Sequence, residues 1–411
     1  MQKNNQLEKN LLICGDNLTA LDDLIKKGIQ ADLIYLDPPF FSNRHYEVIW
    51  GDEAEVRSFQ DRWEGGINVY IEWMRVRVAK MYEVLKENGS FYLHCDWHAG
   101  HHLKLMLDEI FGAKSFQNEI IWYYRGGGVS KERFGRRHDT IFFYTKGDNW
   151  TFNYDDIRTP YSEESLERLR YKARAFRGDK VYDSYEPNPK GKHPDDVWEI
   201  QPTMPSSKER LGYPTQKPEA LLDKIIRASS NKGDIVLDPF CGCGTAMAVA
   251  QQLGRKWIGI DISPTAIKVI IEKRFSKLGL KESKDFDVIG MPTTVDELRA
   301  LKPFEFQNWI INQMKAKQSK KLSSDFGIDG YYDKTIFTDN SGIQVKQSEN
   351  VGRNVVDNFE TALSRGKFSR GFIVAFSFSK GAYEEAARAK SGGLEIRLIK
   401  VEDLLLGKVK I

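Results

Sequence analysis

The feature that most constrains the fold is the stretch at residues 234–245, where an apolar run meets a glycine turn. The apolar run predicts a short buried strand that ends at Asp238. Gly242 and Gly244 predict a tight turn whose backbone comes close to a ligand, and the helix that starts there favours a carboxylate or phosphate. The turn lacks the Gly-Lys-Ser/Thr ending of a phosphate loop and the glycine spacing of a dinucleotide fingerprint. It therefore predicts a ligand loop of another kind.

A second strand follows this helix and ends in an acid. Residues 246–253 predict the helix, and residues 256–261 predict a strand whose last residue is Asp261. An acid at that place binds ribose hydroxyls in related nucleotide folds. A purely structural strand–turn–helix unit is the alternative, and the acid at the next strand end favours a nucleotide-like ligand.

Strands also alternate with helices in the N-terminal part of the chain. Apolar runs at residues 11–14, 31–36 and 90–94 predict strands, and the periodic stretches between them predict helices. This alternation predicts a parallel, doubly wound α/β sheet, in which ligands bind outside the carboxyl ends of the strands. Asp16 follows the first of these strands and is either a ligand contact or a turn or cap residue, while Asn17 is also predicted to cap the next helix.

The strand at residues 31–36 ends in Asp37, Pro38, Pro39 and Phe40. Neither proline can donate to a strand ladder, so the strand must stop there on a stiff platform. The carboxylate of Asp37 and the carbonyl of Pro38 can accept both hydrogens of an exocyclic amino group, and Phe40 can stack on the ring of a base. A plain turn is the alternative, because aspartate and proline are ordinary turn residues.

Composition excludes several classes of protein. The chain has 411 residues, a net charge of +3 and four scattered cysteines. This length predicts about two to three domains. No apolar run is long enough to span a membrane, the polar N-terminus is not a signal peptide, and the cysteines do not form a disulfide framework. We expect a reduced, cytoplasmic protein.

Two metal sites are considered and disfavoured. His98 and His102 lie one helical turn apart, as zinc ligands often do, but no carboxylate–histidine motif flanks them. Cys241 and Cys243 could form half of a zinc site, but no second cysteine pair exists.

Periodicity fades between about residues 125 and 208, where basic and aromatic residues alternate. Basic side chains neutralise phosphates, and aromatic ones wedge or stack against bases. A solvated helix face is the alternative for such a charge run. The position of the segment between two halves of an α/β core favours an inserted module that contacts DNA. Its basic residues include Lys131, Arg133, Arg136, Arg137, Arg168, Arg170, Lys172, Arg174, Arg177 and Lys180.

Together these motifs resemble those of the S-adenosylmethionine-dependent DNA amino-methyltransferases. The platform at residues 37–40 precedes the glycine loop at 238–245, and a long recognition segment separates them. That permuted order is similar to the beta class of the family. Further matching pieces lie at residues 15–18, 138–141 and 215–218, so the resemblance covers about residues 10–280.

The resemblance implies a Rossmann-like methyltransferase sheet, S-adenosylmethionine as cofactor and double-stranded DNA as partner. Asp37, Pro38, Pro39 and Phe40 would be the catalytic residues, which hold a flipped base for in-line attack on the sulfonium methyl. No covalent nucleophile is needed, so no cysteine receives that role. The resemblance assigns the cofactor to Asp16, Gln216, Lys217, Pro218, Asp238, Phe240, Cys241, Gly242, Gly244, Thr245 and Asp261.

The same resemblance implies the base that is methylated. Aspartate at the first place of the platform is more typical of adenine N6 methylation, whereas the cytosine enzymes more often carry serine there. The expected function is therefore site-specific DNA adenine methylation within a restriction–modification system. A cytosine-N4 enzyme, an RNA methyltransferase and a DNA-binding module with inactive pockets stay as alternatives, and a homodimer is not distinguished from a monomer.

The C-terminal part resembles a different family. Residues 300–400 predict a small α/β unit in which Asp329 precedes one strand, and Gln344 and Lys346 lie on its hairpin partner. An acid, a second acceptor and a lysine so placed hold Mg²⁺ and water in metal-dependent nucleases. The pattern resembles the Mrr-like branch of the PD-(D/E)XK nucleases, with Asp329 as a metal ligand and Glu305 as the helix acid of that branch. A decayed nuclease that only binds DNA is the alternative.

The expected organisation has two domains. Residues 1–290 form the methyltransferase, with residues 125–208 as its target-recognition insertion. Residues 300–411 form the restriction-endonuclease-like domain, for which Mg²⁺ is the expected metal.

Overall fold

The computed structural model describes residues 7–41, 65–126, 131–170, 175–177, 180–182, 188–211, 213, 215–301, 303–314, 316–319, 327–333 and 340–409. The chain forms two compact units. The first contains the described residues up to Ile260 together with Ile270–Asp287, and the second contains Asp261–Val269 and the described residues from Val288 onwards. None of the described helices is both long and apolar enough to cross a membrane.

A nine-stranded sheet runs through the first unit, in the order β11-β1-β10-β9-β2-β3-β5-β4-β8. Its strands are β1 (Asn10–Cys14), β2 (Ala31–Leu36), β3 (Leu85–Cys95), β4 (Phe116–Tyr123), β5 (His138–Thr145), β8 (Val197–Glu199), β9 (Ile235–Asp238), β10 (Lys256–Asp261) and β11 (Phe286–Ile289). A separate two-stranded ribbon is formed by β6 (Ala175–Arg177) and β7 (Lys180–Tyr182).

Six helices of the described part of the chain accompany this sheet. They are α1 (Asn17–Lys26), α2 (Ile67–Val84), α3 (Gly100–Phe111), α4 (Glu163–Arg170), α5 (Glu219–Ser229) and α6 (Thr245–Gln252). Short 3-10 turns occupy Ala113–Ser115 and Tyr154–Ile157, and a π-helical turn occupies Ile270–Phe275.

The centre of the sheet is parallel and buried on both faces. β10 pairs in parallel with β9, β9 with β2, and β2 with β3. Ile34 and Leu36 of β2 belong to a core cluster with α1, α2 and α3. Leu33 and Tyr35 point to the opposite face, because side chains alternate along a strand, and they are equally buried. This arrangement explains why β2 reads as a continuous apolar run.

Two details differ from the sequence-based expectations. Asn17 does not cap α1, because Asp16 is the cap and its Oδ1 accepts a hydrogen bond from the amide of Leu18 at 2.9 Å. The sheet was predicted to be parallel, but β5 runs antiparallel to both β3 and β4. Alternation of strands and helices cannot reveal this reversal, since antiparallel neighbours such as β4 and β5 need no crossover helix between them.

The second unit contains a five-stranded sheet in the order β12-β13-β14-β15-β16. Strands β14 to β16 are parallel, whereas β12, β13 and β14 pair antiparallel. The strands are β12 (Lys317–Gln318), β13 (Gly330–Tyr332), β14 (Ser341–Lys346), β15 (Arg370–Ala375) and β16 (Glu395–Lys400). The helices are α7 (Pro264–Val269), α8 (Val295–Ala300), α9 (Pro303–Gln313), α10 (Arg353–Arg365), α11 (Lys380–Ser391) and α12 (Val401–Leu405).

Two core clusters cover the two faces of this smaller sheet. Phe372 and Val374 of β15 pack in a cluster with α8, α9 and α12. Ile373, which points the other way, packs in a second cluster with α10 and α11. The hairpin of β13 and β14 is thereby fixed on a sheet that is buried on both sides.

Candidate functional site

The platform at residues 37–40 follows directly after the buried strand β2. Its second and third residues present their carbonyls differently. The carbonyl of Pro39 accepts a hydrogen bond from the hydroxyl of Tyr70 at 2.7 Å. No donor within the described part of the chain reaches the carbonyl of Pro38. The rigid turn therefore leaves the Pro38 acceptor for a ligand while its neighbour is tied to α2.

Asp37 is the charged centre of the platform, and its two oxygens have different surroundings. Oδ2 is paired with the ammonium group of Lys217, which also lies 5.1 Å from the centre of the Phe40 ring. Oδ1 is buried, has no hydrogen-bond partner among the described residues, and lies 3.7 Å from Nδ1 of His94. One oxygen is thus neutralised, and the other is an unused acceptor.

A chain of buried polar groups lies behind Asp37. Nδ1 of His94 lies 3.1 Å from the hydroxyl of Tyr35, and its Nε2 lies 3.4 Å from Oδ2 of Asp139. The other oxygen of Asp139 accepts a hydrogen bond from the hydroxyl of Tyr124 at 3.2 Å. His94 is completely buried. These polar groups fix the imidazole of His94 between the carboxylates of Asp37 and Asp139. No pattern in the sequence had marked His94 and Asp139 as a pair.

Burial and charge shift the pKa values of two groups in this chain. Burial, together with the carboxylates of Asp37, Asp238 and Asp139, raises the pKa of Tyr35 well above its ordinary value, so the hydroxyl stays neutral. Burial alone would raise the pKa of Asp139, but contacts with His94, the charge of Lys217 and the Tyr124 hydrogen bond lower it overall. Asp139 is therefore an anion beside the imidazole.

The glycine loop follows β9 as expected. Oδ1 of Asp238 accepts from the amide of Phe240 at 3.1 Å, and the amide of Gly244 donates to the carbonyl of Cys241 at 2.7 Å. Gly242 and Gly244 have φ values of +49° and +76°, which a residue with a side chain rarely adopts. A side chain at Gly244 would also press on Ile270 and Met247 at 3.0 Å. The turn delivers the chain to the N-terminus of α6.

Arg274 holds this loop by hydrogen bonds, a role that was not predicted from the sequence. Its guanidinium donates to the carbonyl of Cys243 at 2.6 Å, to Oγ1 of Thr245 at 3.3 Å and to Glu219 at 3.0 Å. The side chain of Thr245 is therefore engaged inside the protein. Arg274 lies far downstream in the sequence, so only tertiary structure reveals its role.

Asp16 has two structural partners. Besides capping α1, it forms an ion pair with the guanidinium of Arg77 at 2.9 Å. Arg77 also donates to Asn17 at 2.8 Å and stacks on Trp73 at 3.9 Å. Because 44% of the Asp16 side chain is still exposed, these contacts orient the carboxylate without covering it. Burial lowers the pKa of Arg77 despite the charge of Asp16.

The residues at 216–218 separate into different positions. The side-chain amide of Gln216 makes two hydrogen bonds to the backbone. Its oxygen accepts from the amide of Leu211 at 2.9 Å, and its nitrogen donates to the carbonyl of Glu209 at 2.8 Å. Lys217 reaches Asp37, and Pro218 is the residue before α5. Gln216 thus shapes the loop, while Lys217 joins the platform.

Asp261 is the last residue of β10 and is buried. Its Oδ1 accepts from the amide of Ser263 at 2.8 Å. All four cysteines (Cys14, Cys95, Cys241 and Cys243) are buried thiols outside any disulfide. Burial raises the pKa of the Cys243 and Cys95 thiols, which favours the unreactive thiol over the thiolate.

Of the two histidines considered as zinc ligands, His98 precedes α3 and His102 lies on that helix. His98 binds the carboxylate of Asp96 at 2.6 Å. Within the described residues, one cluster of three metal-ligating side chains occurs, and it consists of Asp357, Glu360 and Glu385. Arginines already pair with the last two of these acids.

The second unit brings Asp329 and β14 together. Oδ2 of Asp329 accepts from the amide of Val345 at 2.7 Å, so the carboxylate lies against the middle of β14. The amide nitrogen of Gln344 donates to the carbonyl of Gly327 at 2.8 Å, while its Oε1 is buried with no hydrogen-bond partner among the described residues. Lys346 ends the same strand. Glu305 lies on α9, and its side chain is outside the described part of the structure.

Part of the basic segment is also outside the description. Lys172 and Arg174 lie among the undescribed residues, and the side chains of Arg168, Arg170, Arg177 and Lys180 are not described either. Lys131, Arg133 and Arg136 are described, and all three are exposed.

Comparison with known proteins gives matches in both halves of the chain. The DNA methylase family matches residues 31–273, and the restriction endonuclease family matches residues 298–406. The chain is 31% identical over 328 residues to the type II methyltransferase M.HpaI of Haemophilus parainfluenzae, a match that covers 76% of this chain and 94% of that protein. It is 33% identical over 266 residues to the DNA adenine methyltransferase YhdJ of Escherichia coli strain K12, covering 64% of this chain and 81% of that protein. Among solved structures, the M1.HpyAVI–SAM complex has a TM-score of 0.42 at 21% identity and covers 66% of this chain and 100% of that one.

Proposed function

Because the chain belongs to the DNA methylase family, we propose that it transfers the methyl group of S-adenosylmethionine to the N6 amino group of adenine in double-stranded DNA. One observation carries the proposal. Strand β2, which ends at the platform, pairs in parallel with β9, which ends at the glycine loop. The carboxyl ends of adjacent parallel strands lie at the same sheet edge, where such sheets bind ligands. A methyl donor at the loop would therefore lie beside an amine at the platform.

The platform fits an amino group with two hydrogens. Oδ1 of Asp37 is a buried acceptor with no hydrogen bond among the described residues, and the carbonyl of Pro38 is the second acceptor. A buried acceptor without a partner costs about 1–3 kcal/mol, which an amine would recover. With both hydrogens held, the nitrogen lone pair is directed away from the platform, and the ring of Phe40 is available to stack on the base.

The residues of the glycine loop fit the proposed cofactor. S-adenosylmethionine supplies, when bound, a methyl group that its sulfonium already activates. Backbone amides at the start of α6 suit the carboxylate of its methionine part, and the buried Asp261 suits the ribose. Asp16 would approach the adenine ring of the cofactor. Gln216 would act through the loop that it bridges.

The other predicted cofactor residues would line the same place. The set at the loop and before α5 is Lys217, Pro218, Asp238, Phe240, Cys241, Gly242, Gly244 and Thr245. Two of these side chains have other contacts: Thr245 would hold the turn rather than the ligand, since Arg274 donates to it, and the ammonium group of Lys217 is paired with Asp37.

Transfer of the methyl group would break the carbon–sulfur bond of the sulfonium, which leaves as a neutral thioether, would form a carbon–nitrogen bond and would release one amine proton. Asp37 Oδ1 is the nearest acceptor for that proton, and Nδ1 of His94 follows at 3.7 Å. Asp139, on the far side of the imidazole, would hold the ring of His94 in place. Lys217 would keep the other oxygen of Asp37 in place throughout. His94 and Asp139 act through Asp37 and are positioning residues.

Adenine is favoured over cytosine for two reasons. The platform begins with aspartate, which is the adenine-type residue in the family that the sequence resembles. The relative YhdJ is named a DNA adenine methyltransferase. Cytosine-N4 methylation is the alternative within the same fold and mechanism.

Nucleoside mass spectrometry tests this proposal. Unmethylated DNA is incubated with the full chain and S-adenosylmethionine without Mg²⁺, and methyl on adenine N6 is expected. Methyl on cytosine N4 would overturn the choice of base and keep the mechanism. Cofactor binding without any methylation of DNA would overturn the proposed activity and favour RNA or an inactive DNA-binding module.

For the second unit we propose a Mg²⁺-dependent DNA endonuclease, which together with the methylase would form a single-chain restriction–modification enzyme. Asp329 and Gln344 would hold the metal, Lys346 would orient the attacking water, and Glu305 would be the helix acid. The unpartnered Oε1 of Gln344 supports this, because a metal or its water would satisfy that oxygen. A fold that binds DNA without cleaving it is the alternative.

We also propose that the protein works in a reducing, cytoplasmic setting. The support is that all four cysteines are buried thiols outside any disulfide, so none depends on an oxidising compartment.

A further inference from the structure

The hairpin between β4 and β5 presents a fully exposed aromatic ring. Phe134 is 98% exposed, more than any other large apolar side chain in the described part of the chain. It stands among Lys131, Arg133, Arg136 and Arg137, of which the first three are exposed. We call residues 131–137 the basic tip. Burying a phenylalanine side chain is favourable by about 1.5–3 kcal/mol, so a ring held this far into solvent is suited to a partner.

The surroundings of the ring indicate what kind of partner fits. Four cations within seven residues match a polyanion, while the ring itself needs an apolar surface. A DNA duplex offers both, because phosphates flank a stack of bases. An apolar protein surface would satisfy the ring but would leave the cations without counter-charges.

Described contacts hold the C-terminal end of the basic tip, whereas none of them holds the ring of Phe134. The guanidinium of Arg136 lies 3.6 Å from the centre of the Trp97 ring, and the amide of Tyr124 donates to the carbonyl of Arg137 at 3.0 Å. Phe134 has no described ring partner of this kind. The tip therefore holds its backbone in one place and presents Phe134 as a protruding side chain.

The tip is continuous with the platform. Tyr124 and Asp139, which flank it at the ends of β4 and β5, both belong to the polar chain that reaches Asp37. Phe134 and Asp139 are five residues apart, so at most about 17 Å of extended chain separates them. A distance of this size corresponds to only a few stacked base pairs of a duplex.

We propose that Phe134 is a wedge that enters the duplex beside the target adenine and fills the place that the flipped base leaves. This inference rests on the proposed adenine methylation. Flipping a base out of a duplex has an unstacking cost, and an inserted apolar side chain offsets it. The basic residues of the tip hold the phosphates on either side, and the platform receives the base.

The test compares two duplexes that differ only opposite the target adenine, at a site first mapped with the unaltered protein. One is fully paired, and the other has an abasic position opposite the target, which removes most of the cost of flipping. Phe134→Ala is expected to lower kcat/KM on the paired duplex by about 10- to 100-fold. On the abasic duplex it should stay within about threefold of the unaltered protein, because little unstacking remains. Phe134→Trp should retain activity on both.

Three controls keep the outcomes distinct, and all reactions are run without Mg²⁺. Leu105→Ala removes another exposed apolar side chain, on α3, and should leave both rates unchanged. Arg133→Gln should weaken binding to both duplexes alike and reduce its salt dependence by about one charge. Unaltered binding of S-adenosylmethionine shows that each variant is folded.

Equal losses on the paired and abasic duplexes, or no loss on the paired duplex, would overturn the wedge. If the unaltered protein methylates neither duplex, the proposed methylation itself fails. That result is distinguishable because it does not depend on Phe134.

Discussion

The two units present a similar arrangement of polar groups in two different ways. Each has an aspartate at a strand end and, close by, a buried acceptor oxygen with no hydrogen-bond partner among the described residues. In the first unit that oxygen is Oδ1 of Asp37 itself, and in the second it is Oε1 of Gln344. Unsatisfied buried acceptors are rare and cost about 1–3 kcal/mol, so both positions are suited to a ligand.

The difference lies in how each site is assembled. Asp37 is held by Lys217, which lies 180 residues away in the sequence, and by His94 and Asp139 on other strands. Asp329 is held by Val345, only 16 residues away, across a local hairpin. The first site depends on the tertiary structure of a whole sheet, while the second depends on one antiparallel pair of strands. The effects of a substitution should therefore reach more distant residues in the first site than in the second.

The largest expected effect is at Asp37. Asp37→Ala removes both the acceptor and the counter-charge of Lys217, so methyl transfer should fall by at least about 1,000-fold. The affinity for S-adenosylmethionine should persist, because the glycine loop is untouched. Methylation is measured by transfer of labelled methyl to DNA, and cofactor affinity is measured by calorimetry. A parallel loss of cofactor binding would contradict the role given to Asp37.

Ser90→Ala is the matched control for that variant. Ser90 Oγ is also buried without a hydrogen-bond partner among the described residues, but it faces no proposed ligand. Removing it should leave methylation within about twofold and leave stability unchanged or slightly increased. Loss of methylation in Ser90→Ala would show that unsatisfied burial, rather than the position of Asp37, explains the effect.

Lys346→Ala should separate the two units. Any Mg²⁺-dependent cleavage of DNA should disappear, because the lysine orients the attacking water, while methylation stays intact. Cleavage is measured on plasmid DNA with and without Mg²⁺. Unchanged cleavage in the variant would remove Lys346 from the site.

Gln344→Glu sharpens the same comparison without relying on cleavage. A carboxylate at this buried position should be destabilising in a metal-free buffer and should be stabilised when a divalent cation binds. The melting temperature of the variant should therefore rise on addition of Mg²⁺ by several degrees more than that of the unaltered protein. Equal shifts in both proteins would place the metal elsewhere.

The contrast in assembly also explains what the sequence could predict. The family matches confirm the predicted amino-methyltransferase and the restriction-endonuclease-like unit, because both resemblances rest on short contiguous motifs. Strand ends at Asp37 and Asp238 were predictable, since prolines and glycines mark them. The reversal of β5 and the capping role of Asp16 were not, because neighbouring residues offered equally good alternatives.

The partners of the site were hidden for a physical reason. Arg274, His94 and Asp139 contact the loop or the platform only because distant strands lie side by side. The motif at residues 215–218 predicted that Lys217 contacts the cofactor, yet its ammonium group forms an ion pair with Asp37. Spacing in the sequence carries no information on which of two nearby ligands a flexible lysine reaches.

Lys217→Met tests that assignment with a smaller expected effect. A charge-assisted hydrogen bond of this kind contributes about 1.5–3 kcal/mol, so kcat should fall by about 10- to 100-fold. If the lysine serves Asp37, the affinity for S-adenosylmethionine should be unchanged, and Lys217→Arg should recover part of kcat. A loss confined to cofactor affinity would return the lysine to the cofactor.

The smallest effect is expected from Tyr35→Phe, which tests whether the polar chain behind Asp37 is cooperative. The variant keeps the ring and removes only the hydroxyl that lies 3.1 Å from His94. Because the raised pKa keeps this hydroxyl neutral, it contributes a hydrogen bond to the imidazole and not a charge. Its loss should cost about 1 kcal/mol, which is about fivefold in kcat.

A double variant shows whether the cost of losing the Tyr35 hydroxyl depends on Asp139. The pKa of the Asp139 carboxyl is lowered in the folded protein, so its stabilising contribution is present at neutral pH and is lost as the pH falls through the folded value. Asp139→Asn should therefore cost stability at pH 7 and progressively less in acid, as urea titrations would measure. If the chain is cooperative, Tyr35→Phe should cost less in the Asp139→Asn background, because the imidazole is then already displaced. Additive losses would mean that the hydroxyl and the carboxylate hold His94 independently, and that the platform is as local in its energetics as the hairpin of the second unit.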